Sequence, residues 1–228
     1  EMAVSGSWVP VAFTQTFRDP VVVAKPASFA DANPCVIRIR NVTASGFEIR
    51  LQQYDYLTQE HGQETVGYMV MERGSFTLDN GIQVEAGTSD HQSGGEPMTI
   101  SFAEAFYVPP VVAAAIITDQ ESDAAVGRVS NISASGFDYK IQEQEGNLQE
   151  HDAEQIAYIA WEPSAGMIDE YAYEVAVSGD EMDSSWRQIS FQGGFTDTPL
   201  LIADMQTINE NDTANLRLTE LTATGVQV

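Results

Sequence analysis

The chain has 228 residues, of which 34 are acidic and 10 are basic, and its formal net charge is −24. This negative field repels nucleic acid and anionic membrane surfaces, and no apolar run approaches the roughly 18 residues of a membrane span. Because salt screens repulsion between surface charges, the charge favours a secreted protein of a saline setting, with a merely acidic bacterial protein as the alternative. The one cysteine, Cys35, excludes an internal disulfide framework.

The chain repeats itself with a period of about 90 residues. The phrase NVTASGF at 41–47 returns as NISASGF at 131–137 and as ELTATGV at 220–226. The phrase QEHGQETVGYMVME at 59–72 returns once, as QEHDAEQIAYIAWE at 149–162. We therefore predict three modules, at 1–73, 74–163 and 164–228, of which the first lacks its opening strand and the third its closing strands.

Within each module the pattern is that of short β-strands. An apolar run follows a proline at 21–24, 111–117 and 200–205, which predicts buried strands. Alternating runs at 36–41 and 47–52, and their counterparts in the second module, are joined by a Ser-Gly pair, which is typical of a hairpin. A closing run at 66–72 and 156–162 is apolar on both faces, as in a central strand.

No window shows the 3.6-residue apolar stripe of an amphipathic helix. The sequence thus predicts an all-β fold of tandem antiparallel six- or seven-stranded β-sandwiches, with the third copy truncated. Short connections between the modules favour a linear or side-by-side arrangement over closure around an axis.

The order of these phrases resembles the H-type lectin domain. The second module carries the resemblance most fully, with ISFAEAFYVPPVV at 100–112, GRVSNISASGF at 127–137 and YIAWE at 158–162. The resemblance implies a six-stranded antiparallel sandwich, trimeric assembly and binding of galactose-type or N-acetylgalactosamine sugars.

Two loops hold the candidate binding groups. A His-x-x-Glu motif with a second glutamate beside it occurs in both loops, and it could bind a cation or sugar hydroxyls; alternatively each histidine is pinned by its glutamate and only orients the loop. Aromatic rings in the first of these loops could stack on sugar faces. The candidate carbohydrate-binding residues are Tyr54, Tyr56, Glu60, His61, Glu64, Glu150, His151 and Glu154.

Three arginines share one position of the repeat: Arg38, Arg128 and Arg217. We expect each to form a structural ion pair across neighbouring strands, with Glu48 or Asp138 as partner, and contact with a ligand is the alternative.

No catalytic motif is visible, neither G-x-S-x-G, H-E-x-x-H nor Walker A, so no enzyme activity is predicted.

The leading hypothesis is a secreted, non-catalytic, carbohydrate-binding tandem repeat that binds a polysaccharide by avidity. The alternative is a structural repeat of a cell-surface adhesin stalk or extracellular filament, and a weaker one is an appendage of a secreted hydrolase. The expected partners are carbohydrate and neighbouring modules or other copies of the chain, without nucleic acid or membrane. No cofactor is expected, although calcium is possible. The expected location is extracellular or at the cell surface.

Overall fold

A computed structural model describes residues 1–91, 95–147, 149–180 and 182–228. Every regular element in these ranges is a β-strand and none is a helix, which confirms the all-β prediction. A search of the same residues for a helix long and apolar enough to cross a membrane finds none.

The first module forms two three-stranded groups that share a core. β6 pairs with β1 and with β3, and β5 pairs with β2 and with β4. Val22, Ile39, Phe47, Ile49 and Val66 pack together between the two groups. The strands are β1 (Met2–Val4), β2 (Val9–Ala12), β3 (Pro20–Ser28), β4 (Cys35–Thr43), β5 (Gly46–Gln53) and β6 (Glu64–Glu72).

The second module has the same plan with one further strand. Its closing strand β13 lies between β10 and β8, with β7 outside β8, and β12 lies between β11 and β9. Phe102, Phe106 and Phe137 fill the space between the two sheets. The strands are β7 (Gly74–Thr77), β8 (Gln83–His91), β9 (Met98–Ser101), β10 (Val111–Ile116), β11 (Ala125–Ser133), β12 (Gly136–Glu143) and β13 (Glu154–Trp161).

The third module is less regular. β18 pairs with β16 and β17, and β14 and β15 form a separate hairpin. The predicted buried strand at 200–205 is wrong: these residues are assigned to no strand, and Leu200 is 45% exposed. The physical reason is that no strand equivalent to β6 or β13 lies beside them among the described residues, so their backbone has no ladder to join. The strands are β14 (Ser164–Ile168), β15 (Tyr171–Val175), β16 (Gln188–Ser190), β17 (Arg217–Thr222) and β18 (Gly225–Gln227).

The predicted Ser-Gly hairpins are confirmed, and each contains a register shift before the turn. At the shift, Asn41, Asn131 and Glu220 have φ near +50°, with values of 52, 50 and 50, a region that asparagine tolerates well. Asn131 Nδ2 donates to Asp138 Oδ2 (2.8 Å), whereas Glu220 Oε2 accepts from Gln227 Nε2 (2.7 Å). The third module thus keeps the hydrogen bond with donor and acceptor exchanged.

The glycine after each turn is required by a close approach of the preceding strand. A Cβ atom at Gly46, Gly136 or Gly225 would lie 2.2, 2.4 or 2.3 Å from the backbone oxygen of Val11, Ile100 or Ile189. Only a residue without a side chain allows the outer strand to approach this closely.

We expect Gly136→Ala to lower the free energy of unfolding by about 1–3 kcal/mol, the usual cost of forcing an atom into a packed site. The matched control is Gly95→Ala, because a Cβ atom at Gly95 meets nothing within 4 Å. Urea denaturation of both variants measures the difference. Equal stability of the two variants would contradict the steric explanation.

The three modules close around a common axis. A central cavity is lined by equivalent segments of all three, at 24–27, 114–116 and 203–205. The third module also contacts the first directly, since β17 pairs in parallel with β3 and Asn215 Nδ2 donates to the Cys35 carbonyl (2.8 Å). The expected open tandem arrangement is therefore wrong. Contacts between successive modules, such as Arg38 Nη1 with the Asp123 carbonyl and Arg128 Nη1 with the Asp212 carbonyl, complete the ring.

Candidate functional site

The candidate site is the set of junctions where a buried arginine of one module enters the next. Arg38 of the first module is fully buried, at 0% exposure. Its Nη1 donates to the Asp123 carbonyl (2.8 Å), and its Nη2 donates to the Glu121 carbonyl (3.0 Å) and to Asp119 Oδ1 (3.0 Å). Nη2 also lies 3.3 Å from Glu154 Oε1, the glutamate of the second His-x-x-Glu motif.

Arg217 of the third module makes the equivalent contacts with the first module. Its Nη1 donates to the Asn33 carbonyl (3.3 Å) and its Nη2 to the Asp31 carbonyl (3.2 Å). Nη2 lies 2.5 Å from Glu64 Oε1, the glutamate of the first motif. The two junctions therefore use the same backbone and carboxylate positions, 90 residues apart in the repeat.

The predicted cross-strand partners of these arginines are wrong. Arg40, not Arg38, pairs with Glu48, with Arg40 Nε and Glu48 Oε2 2.7 Å apart. Asp138 accepts hydrogen bonds from Thr99 and Asn131. The carboxylate partners of Arg38 and Arg217 lie in another module, and a comparison of neighbouring strands does not include them.

Both carboxylate oxygens of Glu64 accept hydrogen bonds from the first module. Ser28 Oγ donates to its Oε2 (2.5 Å), and the backbone amides of Ala30 and Asp31 donate to its two oxygens (2.8 and 2.9 Å). Although burial alone would raise the pKa of Glu64, these hydrogen bonds and Arg217 lower it below its ordinary value. The carboxylate therefore stays ionised opposite the arginine.

Glu154 has the same surroundings. The Thr118 hydroxyl and the Gln120 amide donate to it, and His151 Nε2 lies 3.3 Å from Oε1. On the other side of the ring, His151 Nδ1 lies 2.5 Å from Glu143 Oε1. Burial alone would lower the pKa of His151, but the hydrogen bonds with Glu143 and Glu154 raise it to about 9.

A loss of stability in alkaline solution follows. Because the folded-state pKa of about 9 lies above the ordinary value of 6.5, protonated His151 contributes its full stability below about pH 6.5 and loses that contribution as the pH rises through about 9. We expect the melting temperature of the protein to fall over this interval. His151→Gln should flatten the profile there, and identical profiles of the two proteins would contradict the assignment.

Glu121, Glu143 and His151 also form a potential cation group, since their ligand atoms lie within 4.8 Å of one another. Carboxylates and imidazole suit several divalent metals. However, a protonated imidazole has no lone pair to offer. A metal could therefore bind all three only after displacing the His151 proton.

The third junction is different. Arg128 Nη1 donates to the Asp212 carbonyl (2.9 Å), which matches the Asn33 and Asp123 carbonyls of the other junctions, and to Gln142 Oε1 (3.2 Å). In the described part of the chain, no carboxylate forms a salt bridge with Arg128, although the residue is only 4% exposed. Burial lowers its pKa accordingly.

The structure separates the eight predicted binding residues into two groups. Tyr56, Glu60 and Glu150 are exposed. The others are buried: Tyr54, His61, Glu64, His151 and Glu154. The two histidines and the two glutamates that follow them lie at the junctions, and Tyr54 packs edge-on against Tyr56 with ring centroids 5.9 Å apart. Carbohydrate binding by these residues stays a prediction.

Asp119 is a junction residue that the sequence reasoning missed. It lies near three arginines of the first module, Arg38, Arg40 and Arg50. Arg40 and Arg50 also stack over the ring of Trp8, with distances of 4.0 and 4.7 Å from guanidinium carbon to ring centroid. No signal in the repeat marks Asp119, because its counterpart in the first module is Phe29.

Fold and junctions together define an all-β repeat protein whose modules are joined by buried arginine–carboxylate contacts. Among known proteins, the chain is similar to Halomucin of Haloquadratum walsbyi (strain DSM 16790 / HBSQ001), with 30% identity over 229 residues. The match covers 96% of this chain and 2% of Halomucin. No family model and no solved structure matches the chain.

Proposed function

We propose that this chain is a non-catalytic building block of an extracellular surface protein, in which three H-type-lectin-like sandwiches form one rigid, closed block. The observation that carries the proposal is the use of the His-x-x-Glu motifs at the junctions, where Glu64 and Glu154 receive arginines from other modules. Because the glutamates of these motifs form ion pairs within the chain, the motifs favour a role in the assembly of the modules.

Two further observations support a surface role. The similarity to Halomucin favours a place outside the cell, since that name describes a mucin. The chain matches only 2% of the length of Halomucin. The net charge of −24 keeps such a block soluble at high salt. The partners of the block would be further modules of the same kind.

Small-angle scattering of the 228-residue protein tests the closed block. A compact particle of this length should have a radius of gyration of roughly 17 Å. Arg38→Gln combined with Arg217→Gln should open the block and increase that radius. A rod-like profile for the unaltered protein would contradict the proposal.

Carbohydrate binding is the second candidate function, and one observation favours it. Tyr56 is 54% exposed, and its ring is supported by Tyr54. The loop is also fixed to the second module, because the Asp55 amide donates to Gln144 Oε1 (2.6 Å). An exposed, supported aromatic ring is a suitable platform for a sugar.

A glycan and polysaccharide array, run in high salt with and without calcium, tests this candidate. Retention should disappear in Tyr56→Ala and persist in Tyr107→Ala, which removes another exposed tyrosine outside that loop. Absence of retention on every glycan would contradict a lectin function and leave the block function standing.

A further inference from the structure

The two motif histidines use the same ring nitrogen to contact the glutamate of their motif. Nε2 of His61 lies 3.1 Å from Glu64 Oε1, and Nε2 of His151 lies 3.3 Å from Glu154 Oε1. An ionised carboxylate only accepts hydrogen bonds, so Nε2 is the donor in both contacts. The second nitrogen of each ring, Nδ1, therefore faces the groups on the opposite side of the ring.

An acidic residue lies on that opposite side at one shared position of the repeat. His61 Nδ1 lies 3.9 Å from Asp31 Oδ2, and His151 Nδ1 lies 3.4 Å from Glu121 Oε2. In both modules the backbone amide of the residue after the histidine donates to this same carboxylate (2.8 and 2.6 Å). The carboxylate is thus held beside the ring in each copy.

A third position completes the group and differs between the two modules. In the second module it is Glu143, whose Oε1 lies 2.5 Å from His151 Nδ1 and whose Oε2 accepts from Asn147 Nδ2 (3.2 Å). The ligand atoms of Glu121, Glu143 and His151 lie within 4.8 Å of one another. In the first module the same position of the repeat is Gln53.

The first module leaves polar atoms of this group without a partner. His61 is only 6% exposed, and among the described residues its Nδ1 and the Nε2 of Gln53 are buried with no hydrogen bond. The 3.9 Å between His61 Nδ1 and Asp31 Oδ2 is too long for a hydrogen bond. It is close to the separation of roughly 3.4 Å that two ligands of one tetrahedral metal ion have at bond lengths of about 2.0–2.2 Å.

The surroundings of each ring are those of a metal ligand. A histidine that binds a metal usually donates its other ring N–H to a carboxylate, which fixes the orientation of the ring. Glu64 and Glu154 accept this hydrogen bond here. The acidic side chains on the other side are partly exposed, 24% for Asp31 and 19% for Glu121, so an ion can enter from solvent.

We propose that the first and second modules each bind one divalent transition-metal ion of the kind that imidazole favours, such as Zn²⁺. The ligands of the first site are His61 Nδ1 and the Asp31 carboxylate. The ligands of the second site are His151 Nδ1 and the carboxylates of Glu121 and Glu143. Calcium is excluded as the preferred ion, because it selects sites built from six to eight oxygen atoms.

The two sites differ in strength because only the second has two carboxylates. Binding there releases the Nδ1 proton of His151 to the buffer. The motif glutamates orient the rings and do not bind the ion themselves. All ligands of a site belong to one module, so metal binding goes beyond the block function and does not depend on it.

Calorimetric titration of chelator-treated protein with ZnCl₂ tests the proposal. High salt in the buffer weakens the attraction of the ion to the exposed acidic surface. The protein should bind two Zn²⁺ ions per chain. His61→Gln and His151→Gln should each remove one of them, although glutamine can still donate an amide hydrogen to the motif glutamate.

Exchange of the third position between the modules is the sharper test, because it leaves both histidines in place. Glu143→Gln gives the second site the composition of the first and should weaken it by at least about tenfold, the usual range for a lost contact at a metal site. Gln53→Glu should strengthen the first site by a similar factor. Scattering of the metal-free variants checks that each remains folded.

Four results would overturn the proposal: binding no tighter than in the variant that lacks both histidines, a stoichiometry that neither histidine substitution changes, Ca²⁺ binding as tight as that of Zn²⁺, or affinities that the exchange at 53 and 143 leaves unaltered. A compact scattering profile without metal binding would overturn the metal sites alone. A rod-like profile with two bound ions would overturn the block function alone.

Discussion

Replacement of Arg38 by glutamine is expected to lower the free energy of unfolding by about 3–5 kcal/mol, the usual cost of removing one partner of a buried ion pair. The change leaves the buried Glu154 without the positive charge of Arg38. It also removes the donor to two backbone carbonyls, those of Glu121 and Asp123. Because domains are stable by only about 5–15 kcal/mol in total, urea denaturation should show a large shift of the midpoint.

Two matched arginines serve as controls for Arg38. Arg40→Gln removes partly exposed pairs with Glu48 and Asp119 and should cost about 0–1 kcal/mol. Arg128→Gln removes hydrogen bonds to the Asp212 carbonyl and Gln142 but, in the described ranges, no carboxylate pair, so its cost should stay near 1–3 kcal/mol. If Arg38→Gln is no more costly than Arg40→Gln, the junctions do not hold the block together.

Replacement of Lys25 by methionine should be the second large effect. Lys25 Nζ lies 2.7 Å from Asp204 Oδ2 beside the central axis, and Asp204 is buried. Burial already raises the pKa of Asp204 above its ordinary value. Without Lys25, the carboxylate keeps backbone donors such as the Ala114 amide (3.1 Å) but loses its cation, and we expect a loss of about 3 kcal/mol near neutral pH.

The double variant Lys25→Met with Asp204→Leu should recover most of that stability, because it removes the charge that the single change leaves unpaired. The second module shows that an apolar residue fits this position, since Ala115 is the counterpart of both Lys25 and Asp204. Denaturation of the two single variants and the double variant measures the coupling. A double variant less stable than Lys25→Met would contradict a buried ion pair at the axis.

The strands and hairpins could be predicted from sequence because their signals are local. The alternation in β4 and β5 and the glycine at Gly46 act within a few residues of one another. The recurring phenylalanines, such as Phe102 and Phe106, likewise mark the module core. Each of these features is repeated in the chain, so the copies support the same interpretation.

The site was harder to predict because its contacts are not local. Arg38 and Glu154 are 116 residues apart, and Arg217 and Glu64 are 153 apart. Tyr54 looked like a loop aromatic, yet its loop lies against the second module and the ring is buried. A signal did exist: three equivalent arginines and two His-x-x-Glu motifs could have been matched with an offset of one module, as the structure matches them.

The closed arrangement of three modules also limits how the number of repeats in such a gene can change. In an open solenoid, recombination can remove or duplicate one repeat and leave the neighbours intact, because each repeat contacts only the next. Here the Arg217–Glu64 contact joins the third module back to the first. Loss of one module would therefore leave an arginine and a glutamate facing the wrong partners, whereas loss or gain of three would preserve every contact. We expect arrays of these modules to differ in length by multiples of three.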